Sequence, residues 1–135
     1  MFGCVADECT RRQLTKFTYQ HMANILWSFG KLGYRDDRMI GMVCSELIGR
    51  GLGSISAQSL CPIVWSIGRV DGAVDGSVVE ALFGRLEELV VGDIEPRHLF
   101  QIGMFVRWAD VHGYGANVPD RVRGCVGGCE DSGVL

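Results

Sequence analysis

The chain has 135 residues, 47% of them hydrophobic, which suffices for one domain with a real core. Thirteen Lys and Arg stand against sixteen Asp and Glu, a net charge of −3, so the overall balance is not that of a basic nucleic-acid binder and only an uneven distribution of charge suits a polyanionic partner. No run approaches the ~18 apolar residues of a membrane span, and the start, MFGCVADECTRR, resembles neither a secretory signal nor an Arg-rich, acid-poor transit peptide.

Residues 1–16 read as the second helix of a preceding repeat, because Val5, Cys9 and Leu14 stand 38 residues before Val43, Leu47 and Leu52. The stretch 17–33, FTYQHMANILWSFGKLG, is an amphipathic helix. Its stripe of Met22, Ile25, Leu26, Phe29 and Leu32 keeps i, i+3, i+4, i+7 spacing. Thr18 is placed to cap it, and Phe17 and Met22 make a hydrophobic staple across that cap. A second helix follows, with Asp36 and Asp37 as caps and Met39, Ile40, Val43, Cys44 and Leu47 as its stripe.

The pattern then returns. Ser56 caps a helix with the stripe Leu60, Ile63, Val64, Ile67 and Val70, and Trp65 stands 38 residues after Trp27. Its partner helix carries Val78, Val79, Leu82, Phe83 and Leu86, each 39 residues after its counterpart. A third copy starts at Ile94, with Glu95 at the cap, Pro96 at the first helical position and Leu99, Ile102, Gly103, Val106 and Ala109 as the stripe. Its partner helix is weak, with Val118, Val122 and Cys125 in a stretch that starts near Pro119. The ending, GCVGGCEDSGVL, predicts a frayed or disordered tail.

The unit is thus helix, turn, helix, turn. Neither helix buries its apolar face alone, so stacking is required. The expected fold is all-α: a right-handed α-solenoid of stacked two-helix repeats with a period of 38–39 residues. The organisation is residues 1–16 as the end of a preceding repeat, 17–54 as repeat one, 55–93 as repeat two, 94–123 as a degenerate repeat three, and 124–135 as the tail. A chain that begins inside a repeat is expected to be a piece of a longer array. Gly30 and Gly68 lie inside the first helix of two copies, where each costs about 1 kcal/mol against Ala, and close approach of a neighbouring helix is the expected return.

Other motifs give way to plainer readings. Gly49-Arg-Gly-Leu-Gly53 follows a helix and lacks the Lys-Ser/Thr ending of a phosphate loop, so its glycines serve turns. Cys44 and Cys61 lie on or beside apolar stripes as small core residues. Cys4 and Cys9 with Cys125 and Cys129 have spacings looser than the C-x2-C pairs of zinc sites, and no metal site is expected. The histidines His21, His98 and His112 have no ligand spacing, and no nucleophile–base pair or cofactor loop is present. The chain is therefore read as a non-enzyme without cofactor, metal site or small-molecule substrate.

The period differs from the ~33–34 residues of TPR and ankyrin units, and HEAT units lack a fixed W-S-x-G signature. The stretch MANILWSFGKLGY, echoed by LCPIVWSIGRV, resembles the octotricopeptide repeats and the related repeats of FAST-kinase-like and RAP-domain proteins. A repeat of that family reads like LANLLWALAKLG, which Met22, Ala23, Asn24, Leu26, Trp27, Lys31, Leu32 and Gly33 follow closely. The resemblance extends to about residue 112, though Met104 replaces the Trp and Arg107 the Gly in the third copy. It implies an RNA-associated protein of the mitochondrial matrix or plastid stroma, acting in mRNA stability, RNA processing, translation or ribosome assembly. Single-stranded RNA and other organellar RNA-processing or ribosomal proteins are the implied partners.

The polar side of the first helices supplies the candidate site. His21, Asn24, Ser28 and Lys31 correspond to Ser59, Pro62, Ser66 and Arg69, then to His98, Gln101, Phe105 and Trp108. Stacking aligns them in columns, as in repeat proteins that read bases with two or three side chains. The expected RNA-binding residues are His21, Asn24, Ser28, Lys31, Ser66, Arg69, Gln101 and Trp108. Lys31 and Arg69 suit phosphates, Asn24 and Gln101 suit base edges, and Trp108 suits stacking. The plain alternative is a solvated helix face, with Trp27 and Trp65 packed between repeats and Phe105 and Trp108 buried at the array end. The rival function is a protein-binding scaffold or a structural component of an organellar ribosome, which the acidic balance favours.

Overall fold

The computed structural model describes residues 16–92 and 94–131, with side chains to residue 126 in the last helix. The expectations for residues 1–15 and 132–135, and for Cys4, Cys9 and the Cys129 side chain, lie outside the described residues. Six α-helices occur among the described residues, and no strand: α1 (Tyr19–Leu32), α2 (Asp37–Arg50), α3 (Ala57–Val70), α4 (Gly76–Leu89), α5 (Pro96–Val111) and α6 (Asp120–Asp131). Short 3-10 turns cover Leu52–Ser54 and Gly115–Asn117. The fold is all-helical and repeat-like.

Local chemistry explains the boundaries. Thr18 Oγ1 accepts from the His21 N–H at 3.1 Å, and His21 Nδ1 accepts from the Thr18 N–H at 3.2 Å. This is a capping box with His where Glu or Gln is usual. Asp36 Oδ1 accepts from the Met39 N–H at 3.1 Å. Ser56 and Glu95 stand at the cap positions without a side-chain bond, and α5 starts on Pro96. Gly33 (φ 70°) ends α1 and Asp71 (φ 57°) ends α3, both left-handed. In each, the next N–H reaches back, Tyr34 to the Phe29 carbonyl and Gly72 to the Ile67 carbonyl, both at 2.9 Å. The same Schellman closure is thus made once by Gly and once by Asp, a residue that tolerates this backbone region.

The first helices of the three units pack side by side: α1 lies along α3, and α3 along α5. We call this the A layer. The second helices, α2 and α4, touch each other sparsely and form the B layer. α6 packs on α5 and reaches α4. The core lies between the layers, where Met22, Leu47, Ile63, Leu82, Phe83 and Ile102 are fully buried.

Two glycines set the A-layer spacing. A Cβ on Gly30 would stand 2.7 Å from Trp65 Cζ3, and one on Gly68 would stand 2.8 Å from the Met104 carbonyl oxygen. Trp65 and Met104 hold equivalent places in successive repeats, so one seam occurs twice. The expected return for a mid-helix glycine is therefore present at both.

Two expectations differ. Leu32, placed on the core stripe, is 81% exposed, because it lies in the last turn of α1 while Phe29 packs on Tyr34 (ring centroids 5.3 Å apart). The glycine-rich ending begins as helix rather than as frayed tail. Val122 and Val126, four residues apart, are buried, and Val126 packs over Gly103, its Cβ at ordinary contact distance, 3.8 Å, from where a Gly103 Cβ would stand.

Candidate nucleic-acid interface

Charge is divided between the layers. α1, α3 and α5 carry four cations, Lys31, Arg69, Arg97 and Arg107, and one carboxylate, Asp110. α2 and α4 carry three cations, Arg38, Arg50 and Arg85, against five carboxylates, Asp37, Glu46, Glu80, Glu87 and Glu88. Asp110 is moreover paired with Arg123 Nη1 at 3.1 Å, and that guanidinium holds its carboxyl below the usual carboxylate range. The B-layer arginines serve the fold. Arg85 donates to the Ile55 carbonyl at 2.9 Å from Nη2, and Arg50 donates to Glu46 at 2.7 Å from Nε.

The predicted residues separate into three groups. Asn24, Lys31 and Arg69 are exposed on the A layer while Gln101 is half-buried there, and Lys31 Nζ lies 4.8 Å over the Trp27 ring, a cation–π contact. His21 and Ser28 are exposed but engaged locally: His21 in the capping box, Ser28 Oγ donating to the Asn24 carbonyl at 2.9 Å. Ser66 and Trp108 are buried, 2% and 4% exposed, and do not lie on that surface. Ser66 Oγ donates to the Pro62 carbonyl at 2.7 Å beside the Gly30 seam. Trp108 is stacked on Phe105, His112 and Tyr114, and its Nε1–H donates to the Gly72 carbonyl at 2.9 Å. The column fails at Ser66 because α1 approaches α3 at Gly30, and at Trp108 because the turn after α3 and the chain after α5 cover it.

What the surface does gather is a hollow of ≈ 390 Å³ spanning all three A helices. Gln20, Asn24 and Trp27 line it from α1, Gln58 and Pro62 from α3, and Arg97, His98 and Gln101 from α5. Gln20, Gln58 and Arg97 form a column one residue ahead of the predicted one. The signal was present in the sequence: this position is polar in all three repeats. Gln20 Nε2 donates to Asn24 Oδ1 at 3.0 Å, and Ser59 Oγ donates to Gln20 Oε1 at 3.4 Å, tying α1 to α3. Arg97 pairs with Glu95 at 2.8 Å, both largely exposed, an interaction worth little in water. His98 is 6% exposed, and burial with the Arg97 charge beside it lowers its pKa below the ordinary 6.5.

The hollow mixes donors and acceptors: Gln20, Asn24, Gln58 and Gln101 carry both, and Arg97 and Trp27 carry donors only. Pro62 has no N–H to offer the Gln58 carbonyl, its i−4 acceptor. Gln101 Oε1 is buried and has no hydrogen-bond partner. A second cleft, of ≈ 340 Å³, lies between α2 and α4 and is lined by Ile40, Cys44, Val74, Val78 and Tyr114 among others. Burial pushes the Cys44 thiol there up to about 12, so it is no nucleophile at neutral pH. Among the described residues no three His, Cys, Asp or Glu side chains are grouped to hold a metal ion, and no helix is long and apolar enough to cross a membrane. No family model, curated protein or solved structure matches the chain.

Proposed function

We propose that the chain is an octotricopeptide-like array, a right-handed α-solenoid of stacked two-helix repeats, that binds single-stranded RNA on its A-layer face without catalysing a reaction. The division of charge carries the reading: a chain of net charge −3 keeps four cations against one carboxylate on its A helices. A polyanion is drawn to that side although the whole molecule is acidic. The repeated Trp/Met-on-Gly seam supports the solenoid, since it fixes the same approach between successive A helices. The resemblance of the 22–33 stretch supports a role in organellar gene expression, in mRNA stability, RNA processing, translation or ribosome assembly, in the mitochondrial matrix or plastid stroma. The second reading, a protein scaffold or ribosomal component, is favoured by the apolar cleft between α2 and α4.

The test is binding of a random single-stranded RNA pool across a salt series. Affinity is expected to fall steeply with salt as counterions are released. The double variant Lys31→Glu/Arg69→Glu is expected to weaken binding and to reduce the log–log salt slope by roughly 1.4, about 0.7 for each single-strand phosphate no longer neutralised. Unchanged binding by a variant of intact helicity would remove the A face from the proposal. Absence of binding at low salt by the folded parent would favour the scaffold.

A further inference from the structure

The three repeats differ at one set of equivalent positions. On α3, Ser59 and Ser66 are buried against α1, and Trp65 lies over Gly30. On α5 the same positions hold His98 and Phe105, both buried, and Met104, which lies over Gly68. On α1 they hold His21, Ser28 and Trp27, and all three are exposed, Trp27 by 40%. The face is thus covered in the two copies that have an A helix ahead of them, and open on α1, ahead of which no helix lies among the described residues. We propose that this open edge of α1 docks an α-helix of another protein, and that the helix it takes carries Gln and Gly ten residues apart on one side. The proposal does not depend on RNA binding.

The edge continues two seams already present in the chain, and they define the partner. The helix ahead presents Gln20 and Gly30 in the first seam and Gln58 and Gly68 in the second, ten residues apart each time. The helix behind covers the glycine with Trp65 or Met104, so closely that a Cβ there would clash. In the first seam Ser59 Oγ also donates to Gln20 Oε1 at 3.4 Å. α1 carries the complement of such a face: Trp27-Ser28 repeats Trp65-Ser66, and His21 stands where Ser59 stands. Because His21 Nδ1 accepts from the Thr18 N–H, the neutral ring keeps its proton on Nε2, a donor for a glutamine oxygen. A second copy does not offer the matching face. On α5 the pair becomes Arg97 and Arg107, and α6 packs on that helix. On α1 and α3, Gly30 and Gly68 are already covered. Arg69 stays exposed although α3 has a neighbour on both sides, so a docked helix leaves the basic side of the A layer open.

The probe is a synthetic copy of residues 17–33, which carries Gln20 and Gly30, held helical by a hydrocarbon staple on a different side and checked by circular dichroism. Titration of the labelled probe with the full chain should give saturable binding by fluorescence anisotropy. The same probe with Gly30→Leu should bind about tenfold more weakly although it is more apolar, because the indole of Trp27 no longer finds its gap. In the chain, Trp27→Ala should weaken binding by about the same factor. Ser28→Arg should do so as well, since it crowds the edge from an exposed helical position and leaves the fold intact. Arg69→Glu, on α3, should bind the probe as the parent does while binding RNA less well, which separates the two surfaces. No binding of the helical probe would overturn the proposal and leave the RNA reading standing. Equal or tighter binding of the Gly30→Leu probe would reduce the effect to apolar adhesion, and binding that survives both Trp27→Ala and Ser28→Arg would move it off the edge. Binding seen only after residues 1–15 are removed would give the edge to that segment. A dimer in sedimentation that Ser28→Arg disperses would give it to a second copy. Each of these overturns the proposal.

Discussion

The A and B layers are built from helices of similar length, 14 residues in each of α1 to α4 and 16 in α5, yet glycine means opposite things in them. In the A layer, Gly30 and Gly68 sit where an added Cβ would strike the next helix. In the B layer, Gly41 and Gly84 have nothing within 4 Å of that position. The same residue at the same kind of helical site marks a close approach in one layer and open space in the other. The repeat is thus registered through backbone approach in the A layer. The B layer follows by burying its stripes, with room left between α2 and α4. Charge follows the same division, with the basic side on the tightly spaced layer.

The largest expected effect tests whether α5 belongs to that tight layer as core. Trp108→Ala should cost about 3–5 kcal/mol in denaturant unfolding, from reduced burial and the cavity left behind. It also leaves the Gly72 carbonyl without its indole donor. A destabilisation below about 1 kcal/mol would mean that Trp108 is surface and would break the comparison at its last helix.

The glycines sharpen it directly. Gly68→Ala places a methyl 2.8 Å from a backbone oxygen, which cannot rotate away. Overpacking of about 1–3 kcal/mol opposes the roughly 1 kcal/mol that Ala returns in helix propensity, for a net destabilisation of up to about 2 kcal/mol. Gly41→Ala and Gly84→Ala meet open space and should instead gain about 0.5–1 kcal/mol. Thermal melts of the three variants decide the matter, and a shared sign would abolish the distinction between the layers.

The smallest effect is one of pH, at His98 in the A-layer hollow. Its folded pKa is lowered by burial, so the unfolded chain binds the proton more readily. Its contribution to stability is complete above the unfolded pKa near 6.5 and is lost as pH falls from there through the folded value. His98→Gln should flatten the dependence of stability on pH within that window. An identical slope in the variant would assign the dependence to other groups.

Much of this is legible in the sequence, for physical reasons. Stripes at 3.6-residue spacing and the caps Thr18 and Asp36 place α1 and α2, because burial and backbone satisfaction are local demands. Gly30 and Gly68 betray their close approach because a mid-helix glycine carries a cost that something must offset. The site is less legible. Ser66 and Trp108 share periodic columns with Ser28 and Lys31 respectively, but periodicity reports a residue's angle about its own helix and not which other part of the chain covers it. Tyr114 and the Gly72 carbonyl, which enclose Trp108, belong to irregular segments without a period. His21 stands in the column too, and only the three-dimensional cap shows that its Nδ1 is already engaged. Gln20, Gln58 and Arg97 repeat as plainly as their neighbours do, but a polar column one residue over looks like ordinary solvated surface.

The doubled glycine seam has a geometric consequence. Where α1 meets α3 and α3 meets α5, the distance between neighbours is set by a missing Cβ and not by the volume of a side chain. A methyl group added at either glycine would therefore do more than crowd one contact: it would push two whole helices apart and carry everything packed on them with it.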